Sequence, residues 1–378
     1  MKYVANEVLT LFKAARSNKK NVHVCNLKRW ALDAAKKIEF STFRTSNSWV
    51  YRFKRSIGIV SRKITKFVTK RHLADEEVLR ERAAQFVSEV RKCMEKVGGD
   101  RVYNTDQSGF NLEFHSGRTL DFRGSKAIFA EAQSLNSLTH SYTIQPVVSA
   151  DGRLLPILLI VLQEKGGKFG PIVQEKMFKA KNLHVLCSNS GKLSKDLVVD
   201  WLKTVYLPNV QDKTVLILDS WGGQSERCLV ESLPIDKEVK VMVIPKCTTG
   251  MVQPLDVYGF RVWKSFVRFF YDLILLHDLD VNIHLRDNIL RVQSFTHNQL
   301  SSPRYANLWK YGWSKAGYLS EKPPKDKHPV SFVFRNENIN DVCDRCDDLP
   351  LIVCSWCTKS LCLSHFFTEI HLCDDFVD

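Results

Sequence analysis

The chain has 378 residues, 44 % hydrophobic and 25 % charged, which is enough apolar material for a large core and two or three domains. No apolar run reaches the roughly 18 to 20 residues of a transmembrane helix, and "MKYVANEVLTLFKAARSNKK" lacks the apolar stretch of a secretory signal. The 11 cysteines are therefore expected as thiols or metal ligands of a reducing compartment, cytosol or nucleus, rather than as disulfides. The formal net charge is +14, and residues 1–75, with 18 Lys+Arg against 4 Asp+Glu, account for all of it. A neutral body with one basic end points to a module that meets a polyanion.

In that basic end, "NLKRWALDAAKKI" spaces Leu27, Trp30, Ala31, Ala34 and Ile38 as the inner stripe of a helix. "EFSTFRTSNSW" breaks it. Ser46 is placed to cap a second helix, which turns Trp49, Val50 and Phe53 inward and Asn47, Arg52, Lys54 and Arg55 outward. Two short helices, the second one basic, fit a helix-turn-helix that lays the second helix in a major groove. The stretch "SNSWVYRFKRSIGIVSRK" resembles the centromere-protein-B-type helix-turn-helix of pogo-like transposases, with its small-Asn-x-Trp start, aromatic-Lys-Arg and Gly-Ile. On that resemblance Arg52, Lys54, Arg55, Arg62 and Lys63 contact phosphates, and Ser46, Asn47 and Ser48 lie where base readout begins. The family carries two such units in tandem. Only about 25 residues precede this one, so either the chain has a single reading head or its N-terminus is shortened.

"DEEVLRERAAQFVSEVRKCMEKVGG" follows, with Leu79, Ala83, Phe86, Val90, Met94 and Val97 at helical spacing, an acidic first turn and closing glycines. It reads as a packing helix leading into the next domain. "RVYNTDQSGFNLEF" then predicts a short strand ending in Asp106, with a turn at Gly109. "SYTIQPVVSADGRLLPILLIVLQ" predicts a hairpin turning at Asp151-Gly152. "TVLILDSWGG" is a buried strand ending in Asp219. "EVKVMVIP" is another, leading through "KCTTGMVQPLD" to Asp256 and the helical run "VYGFRVWKSFVRFF". Along that helix Arg261, Lys264 and Arg268 share one face.

Asp106, Asp219 and Asp256 thus sit at three strand exits or helix starts, as in a ribonuclease-H-like sheet that gathers acids at one edge. Oxygen ligands suit hard divalent cations, and two such ions can activate a hydroxyl and stabilise a leaving oxygen. "NTDQSGF", "LILDSWGG" and "KCTTGMVQPLDVYGFRVWK" are similar to the three acidic blocks of the pogo/Tigger branch of the mariner superfamily of transposases, where the third acid follows Gln-Pro-x. "LWKYGWSKAGYL", with Trp309, Trp313 and Tyr318 as core, resembles the helical end of the same domain. The resemblance covers roughly residues 40–320 and makes Asp106, Asp219 and Asp256 a triad that binds two Mg²⁺ or Mn²⁺. Asp106 and Asp219 would bridge the ions and Asp256 complete one. Many relatives place a histidine a few residues past the second acid; here "SWGGQ" ends in Gln224.

Beyond the Pro-rich "EKPPKDKHP", six cysteines fall in the pattern C-x2-C-x7-C-x2-C-x4-C-x2-H-x5-H-x-C. Two CxxC pairs with further Cys and His residues are a zinc pattern, and so short a segment cannot bury a stable core unaided. The ligand set is Cys343, Cys346, Cys354, Cys357, Cys362, His365, His371 and Cys373, enough for one or two zinc ions. A cross-braced arrangement would put Cys343, Cys346, Cys362 and His365 on one ion and Cys354, Cys357, His371 and Cys373 on the other. The segment looks like the cysteine-rich tails of several transposase families, piggyBac among them.

The expected fold is α/β: a ribonuclease-H-like mixed sheet with flanking helices, an N-terminal all-α helix-turn-helix and a small C-terminal zinc module. The expected boundaries are 1–74 for the basic module, 75–320 for the catalytic domain, 321–340 for a linker and 341–378 for the tail. The expected activity is metal-dependent DNA cleavage and joining, in the nucleus. Double-stranded DNA is the partner, a second copy of the chain is a further candidate, and neither a membrane nor a small-molecule substrate is expected. The rival, suggested by the short N-terminus and Gln224, is a catalytically silent DNA-binding descendant. A host nuclease without transposon ancestry is weakened by "TTGMVQPLD".

Overall fold

The computed structural model describes residues 2–62, 76–117, 119–121, 127–139, 141–221, 229, 231–336 and 339–377. They divide into two compact units, Met1–Leu79 and Arg80–Asp378.

The first unit has three helices, α1 (Lys2–Ser17), α2 (Val24–Lys37) and α3 (Asn47–Ser56). Val4 and Val8 of α1, Leu27, Ala31 and Ala34 of α2, and Trp49, Val50 and Phe53 of α3 close one core. The Ser46 hydroxyl accepts from the Trp49 amide at 3.1 Å, so it caps α3 as its position foretold. Ile38, expected on the inner stripe of α2, instead follows the helix end and is exposed. The first helix lies outside the elements expected from the sequence, although Val4, Ala5, Val8, Leu9 and Phe12 fall at helical spacing and face this core.

In the second unit, α4 (Glu76–Val97) packs through Ala83, Phe86 and Val90. Next come β1 (Val102–Thr105) and β2 (Ser108–Asn111), then β3 (Ser141–Gln145) and β4 (Val147–Ser149). Tyr103 lies opposite Ser149 and Thr105 opposite Val147; further along, Ser108 faces Ile144 and Asn111 faces Ser141. These pairs share one register, so residues 102–111 are a single strand interrupted at Asp106–Gln107. The turn expected at Gly109 is absent. The chain runs straight on because Phe110, fully buried, reaches the core only if the ladder continues.

The order continues with β5 (Leu158–Gln163), α5 (Pro171–Lys176), β6 (Leu183–Ser188), α6 (Lys195–Trp201), β7 (Lys213–Leu218) and β8 (Glu238–Val243). β5 pairs antiparallel with β3, and β6 lies parallel outside it. On the other side β7 pairs parallel with β1, and β8 with β7. With β6 set aside, the strands stand third, second, first, fourth, fifth, and only the second runs antiparallel. That is the ribonuclease-H-like order. The hairpin turns as expected at Asp151-Gly152, where Gly152 has φ +91°.

Four further helices follow α7 (Thr249–Val252): α8 (Phe260–Leu276), α9 (Arg286–Leu300), α10 (Ala306–Lys315) and α11 (Pro329–Val333). Trp263, Phe266 and Phe270 of α8 pack on Phe110, Tyr142 and Ile160, while Trp201 and Tyr206 cover the opposite face against Leu159 and Leu216. The stretch expected as a linker carries α11, with Val330 and Val333 buried and Phe334 only 4.8 Å from the Phe266 ring. The last strands, β9 (Ile352–Val353) and β10 (Ser360–Leu361), form a two-stranded hairpin. Ile352, Leu361, Phe366 and Phe367 join the core of α8 and α9, with Phe367 5.2 Å from Phe270. The C-terminal segment is therefore part of the second unit rather than a tethered tail. Its aromatic residues are too irregularly spaced to advertise a helix or strand, but they fill a face that α8 and α9 leave open. Among the described residues no helix is long and apolar enough to cross a membrane.

Candidate active site and cysteine centres

β1 and β7 run parallel with Val102 level with Val215 and Asn104 level with Ile217. The same offset brings Asp106 level with Asp219 at the exits of two adjacent strands. Asp256 comes from the turn Leu255–Gly259 that starts α8. This turn is fixed to β1 by the Leu255 amide, which donates to Asn104 Oδ1 at 3.2 Å, and by Gln253 Nε2, which donates to the Thr105 carbonyl at 3.4 Å. Asn104 Nδ2 in turn donates to the Ile217 carbonyl at 3.2 Å. One buried asparagine thus ties together all three segments that deliver the acids.

The carboxyls interact. Burial pushes the Asp106 carboxyl well above the ordinary carboxylate range, and the negative charges of Asp256 and Asp219 push it further. The carboxyl of Asp256 lies close enough for the two to interact directly, which favours the protonated form of Asp106 over that of Asp256. Asp256 is also raised, first by desolvation of its carboxyl at the sheet edge, although the residue as a whole faces solvent; Asp219 adds to the shift, and the Asp106 contact and Lys264 oppose it. Asp219 Oδ1 accepts from the Ser220 amide at 2.7 Å and from Thr249 Oγ1 at 3.0 Å.

Lys264, two turns along α8 from Asp256, belongs to the basic face shared with Arg261 and Arg268, which beside a triad would suit the DNA backbone but lies outside the expected site residues. Burial lowers its ammonium pKa, Arg268 adds to this, and Asp256 and Asp106 work against it. Its Nζ lies 5.3 Å from the centroid of the Phe110 ring, and Arg268 lies 4.3 Å over Phe114. The signal was the eight-residue spacing from Asp256 on one helix face. Gln224 lies outside the described residues.

The eight Cys and His residues fall into two groups whose ligand atoms lie within 4.8 Å of one another. They are Cys343, Cys346, Cys362 and His365, and Cys354, Cys357, His371 and Cys373. Cys354 has its pKa lowered to about 7, first by a hydrogen bond from the Cys357 thiol. Cys343 is also lowered to about 7: burial raises it, but the backbone amides of Cys362, Arg345 and Cys346 outweigh that. Their partners shift the other way. Cys346 rises to about 12, because desolvation and the neighbouring thiols of Cys362 and Cys343 outweigh the lowering by the Asp348 amide. Cys357 rises to about 11, first because its thiol bonds that of Cys354. Within each group Cys343 and Cys354 are therefore the thiols most disposed to bind as thiolates. The second group is fixed to α9, where Gln299 Nε2 reaches Cys354 Sγ at 3.5 Å and Gln299 Oε1 accepts from the Ser355 amide at 2.7 Å.

In the first unit Asn47, Ser48, Arg52, Arg55 and Arg62 are exposed and Lys54 is half-buried; Lys63 lies outside the described residues. The Ser46 oxygen is occupied by its cap, and Asn47 Oδ1 accepts from Lys28 Nζ at 2.8 Å.

Residues 142–295 match the family model described as DDE superfamily endonuclease, and residues 313–373 match the Tc5 transposase C-terminal domain. The first match contains Asp219 and Asp256; the second ends on Cys373 and holds all eight Cys and His residues. No curated protein matches the chain. Among solved structures, "Mos1 transposase paired-end complex with left transposon end" aligns at 10% identity and TM-score 0.41, covering 83% of this chain and 80% of that one. "Crystal structure of a pre-cleavage Mos1 transpososome" aligns at 10% identity and TM-score 0.43, covering 85% and 81%. "Crystal structure of the catalytic domain of Mos1 mariner transposase" aligns at 9% identity and TM-score 0.28, covering 68% and 100%.

Proposed function

We propose that the chain is a transposase-type DNA endonuclease and strand-joining enzyme whose catalytic carboxylates are Asp106, Asp219 and Asp256. The observation that carries this reading is the meeting of the three acids at adjacent exits of a ribonuclease-H-ordered sheet, within a chain whose residues 142–295 match a DDE endonuclease family.

The donor set fits hard divalent cations: it is all oxygen, and the burial and mutual repulsion that raise Asp106 and Asp256 are what a bound cation would relieve. Asp106 and Asp219 would hold two Mg²⁺ or Mn²⁺ between them, and Asp256 would complete one. When bound, such ions supply Lewis-acid activation of the attacking hydroxyl and neutralise charge on the phosphate. Thr249 and the Ser220 amide orient Asp219 for that task. Lys264 is placed to meet a phosphate oxygen at the flank of the triad.

In the same reading, Arg52, Lys54, Arg55, Arg62 and Lys63 of a centromere-protein-B-type helix-turn-helix grip the DNA backbone, with Asn47 and Ser48 toward the bases. The two cysteine groups hold one zinc ion each, because thiolate with imidazole selects zinc over magnesium or calcium. The site of action would be the nucleus, and a second copy of the chain would pair two DNA ends.

The test is cleavage of DNA carrying the terminal repeats that flank the coding sequence, with and without Mg²⁺ or Mn²⁺. Metal-dependent cutting that Asp219→Asn abolishes, with DNA binding retained, supports the reading. Binding without cutting at any metal concentration would identify a silent descendant. Cutting that survives Asp219→Asn would overturn the triad.

A further inference from the structure

The crossover from β5 to β6 and the loop after β6 carry charge that the fold does not use. Residues 163–195 hold seven lysines against two acids. All seven lysines are exposed. Lys181 is paired with Asp374 at 3.1 Å; among the described residues no ion pair engages Lys165, Lys168, Lys176, Lys179, Lys192 or Lys195. One of the two acids, Glu164, is taken by Arg286 at 2.6 Å.

The backbone beneath them is firmly seated. Phe169, Met177 and Phe178 pack against the core, and the Phe178 amide donates to Asp287 Oδ1 at 3.0 Å. Helix α5 itself buries no residue, so its outer surface is free of any packing role. The Glu164 amide donates to the Ser188 carbonyl at 2.9 Å and joins the loop after β5 to the loop after β6. Lys165, Lys168, Lys192 and Lys195 are thereby grouped at the C-terminal ends of two parallel strands.

Those ends point the same way as the ends that carry Asp106 and Asp219, because β5 and β6 run parallel to β1 and β7. Through the pairs Ser108–Ile144 and Ile144–Ile160, the level of Asp106 falls at Leu158, and β5 continues to Gln163. At about 3.3 Å per residue and about 4.8 Å per strand, the lysine group begins about 20 Å from the triad. That is about six base pairs of duplex at about 3.4 Å each.

We infer that Lys165, Lys168, Lys192 and Lys195 form a contact surface for the phosphate backbone of duplex DNA flanking the cleavage site. The inference rests on the reading of the second unit as acting on DNA. The surface offers mainly ammonium groups, since Phe169 packs against the core and Arg286 is taken by Glu164, which suits sequence-independent backbone attraction rather than base readout.

The experiment uses the full chain with all four lysines changed to glutamine, and a charge-matched control, Lys92, Lys96, Lys203 and Lys213 to glutamine. Binding is measured against salt concentration without added magnesium. One duplex extends about 15 base pairs to each side of the cut; a second stops about three from it. Each phosphate contact contributes about 0.9 to the log–log salt slope. The expected result is a slope smaller by about 2 to 4 on the long duplex, unchanged on the short one, and unchanged in the control on both. Because the four lysines are exposed, the variant should melt as the unaltered protein does. A wild-type slope on the long duplex, or equal losses in variant and control, would overturn the inference. If the unaltered protein never cuts DNA yet the length-dependent loss appears, the surface stands and the catalytic reading falls.

Discussion

The Asp106 carboxyl meets that of Asp256, 150 positions away in sequence, while Asp219 faces both from the neighbouring strand. Burial raises the Asp106 carboxyl, and the repulsion among three acids in one place raises it further. Its folded pKa lies above that of the unfolded chain, so the native state binds more protons between the two values. The stabilisation is complete below the unfolded value of about 3.9 and is lost as pH rises through the raised folded value.

Melting of the metal-free protein should therefore fall as pH climbs from about 4 toward neutrality, and Asp106→Asn should flatten that decline. Asp219→Asn removes a charge without touching the Asp106–Asp256 contact and should raise the metal-free melting temperature at neutral pH. For about 1 kcal/mol of relief in a unit this size, the gain is roughly 1.5 to 2 °C. Mg²⁺ or Mn²⁺ should raise the melting temperature of the unaltered protein more than that of the variant. Calorimetric scans across pH check all three; a variant that melts lower than the parent in metal-free buffer contradicts the repulsion.

Thr249 holds Asp219 through a 3.0 Å hydrogen bond. Thr249→Val keeps the shape and removes the donor. Metal affinity or cleavage rate should drop about 10- to 100-fold, with stability little changed. Titrating Mn²⁺ against cleavage rate separates the two effects; unchanged values would mean that the Ser220 amide alone orients the acid.

For the two Cys/His groups proposed to hold zinc, the shared core changes what chelation should do. Phe366 and Phe367 pack with Phe270 and Phe295, and Gln299 reaches Cys354 Sγ. Stripping zinc should therefore lower the melting of the whole 80–378 unit, not of an isolated tail. Native mass spectrometry of the full chain should count two zinc ions, and one after Cys354→Ser. A chelator that melts only the last residues would show the docking to be weak.

In the basic unit, Arg52, Lys54 and Arg55 changed together to glutamine should weaken DNA binding and reduce the log–log salt slope by about 0.9 for each phosphate no longer neutralised. Ser46→Ala should instead destabilise that unit by about 1 kcal/mol through removal of the α3 cap, with the slope unchanged in the folded fraction. The salt titration and a thermal melt distinguish a phosphate-binding cation from a helix cap.

What the sequence by itself determined was local. Four apolar residues ahead of Asp219 demand a buried strand, a serine three positions before Trp49 caps a helix, and Cys-x2-Cys spacing groups ligands, all within a few residues of chain. What only the tertiary structure decided depends on partners distant in sequence. The strand runs through Gly109 because Phe110 must reach helices 150 residues later. Helix α11, at the end of the Pro-rich segment, docks because Val330, Val333 and Phe334 meet the apolar face of α8. Lys264 enters the site because α8 begins where Asn104 holds Leu255. The Asp106 carboxyl is raised because burial, and then two other acids, converge on it. Periodicity and spacing report which face of an element is apolar; they are silent on what another element, brought in from far along the chain, will place against it.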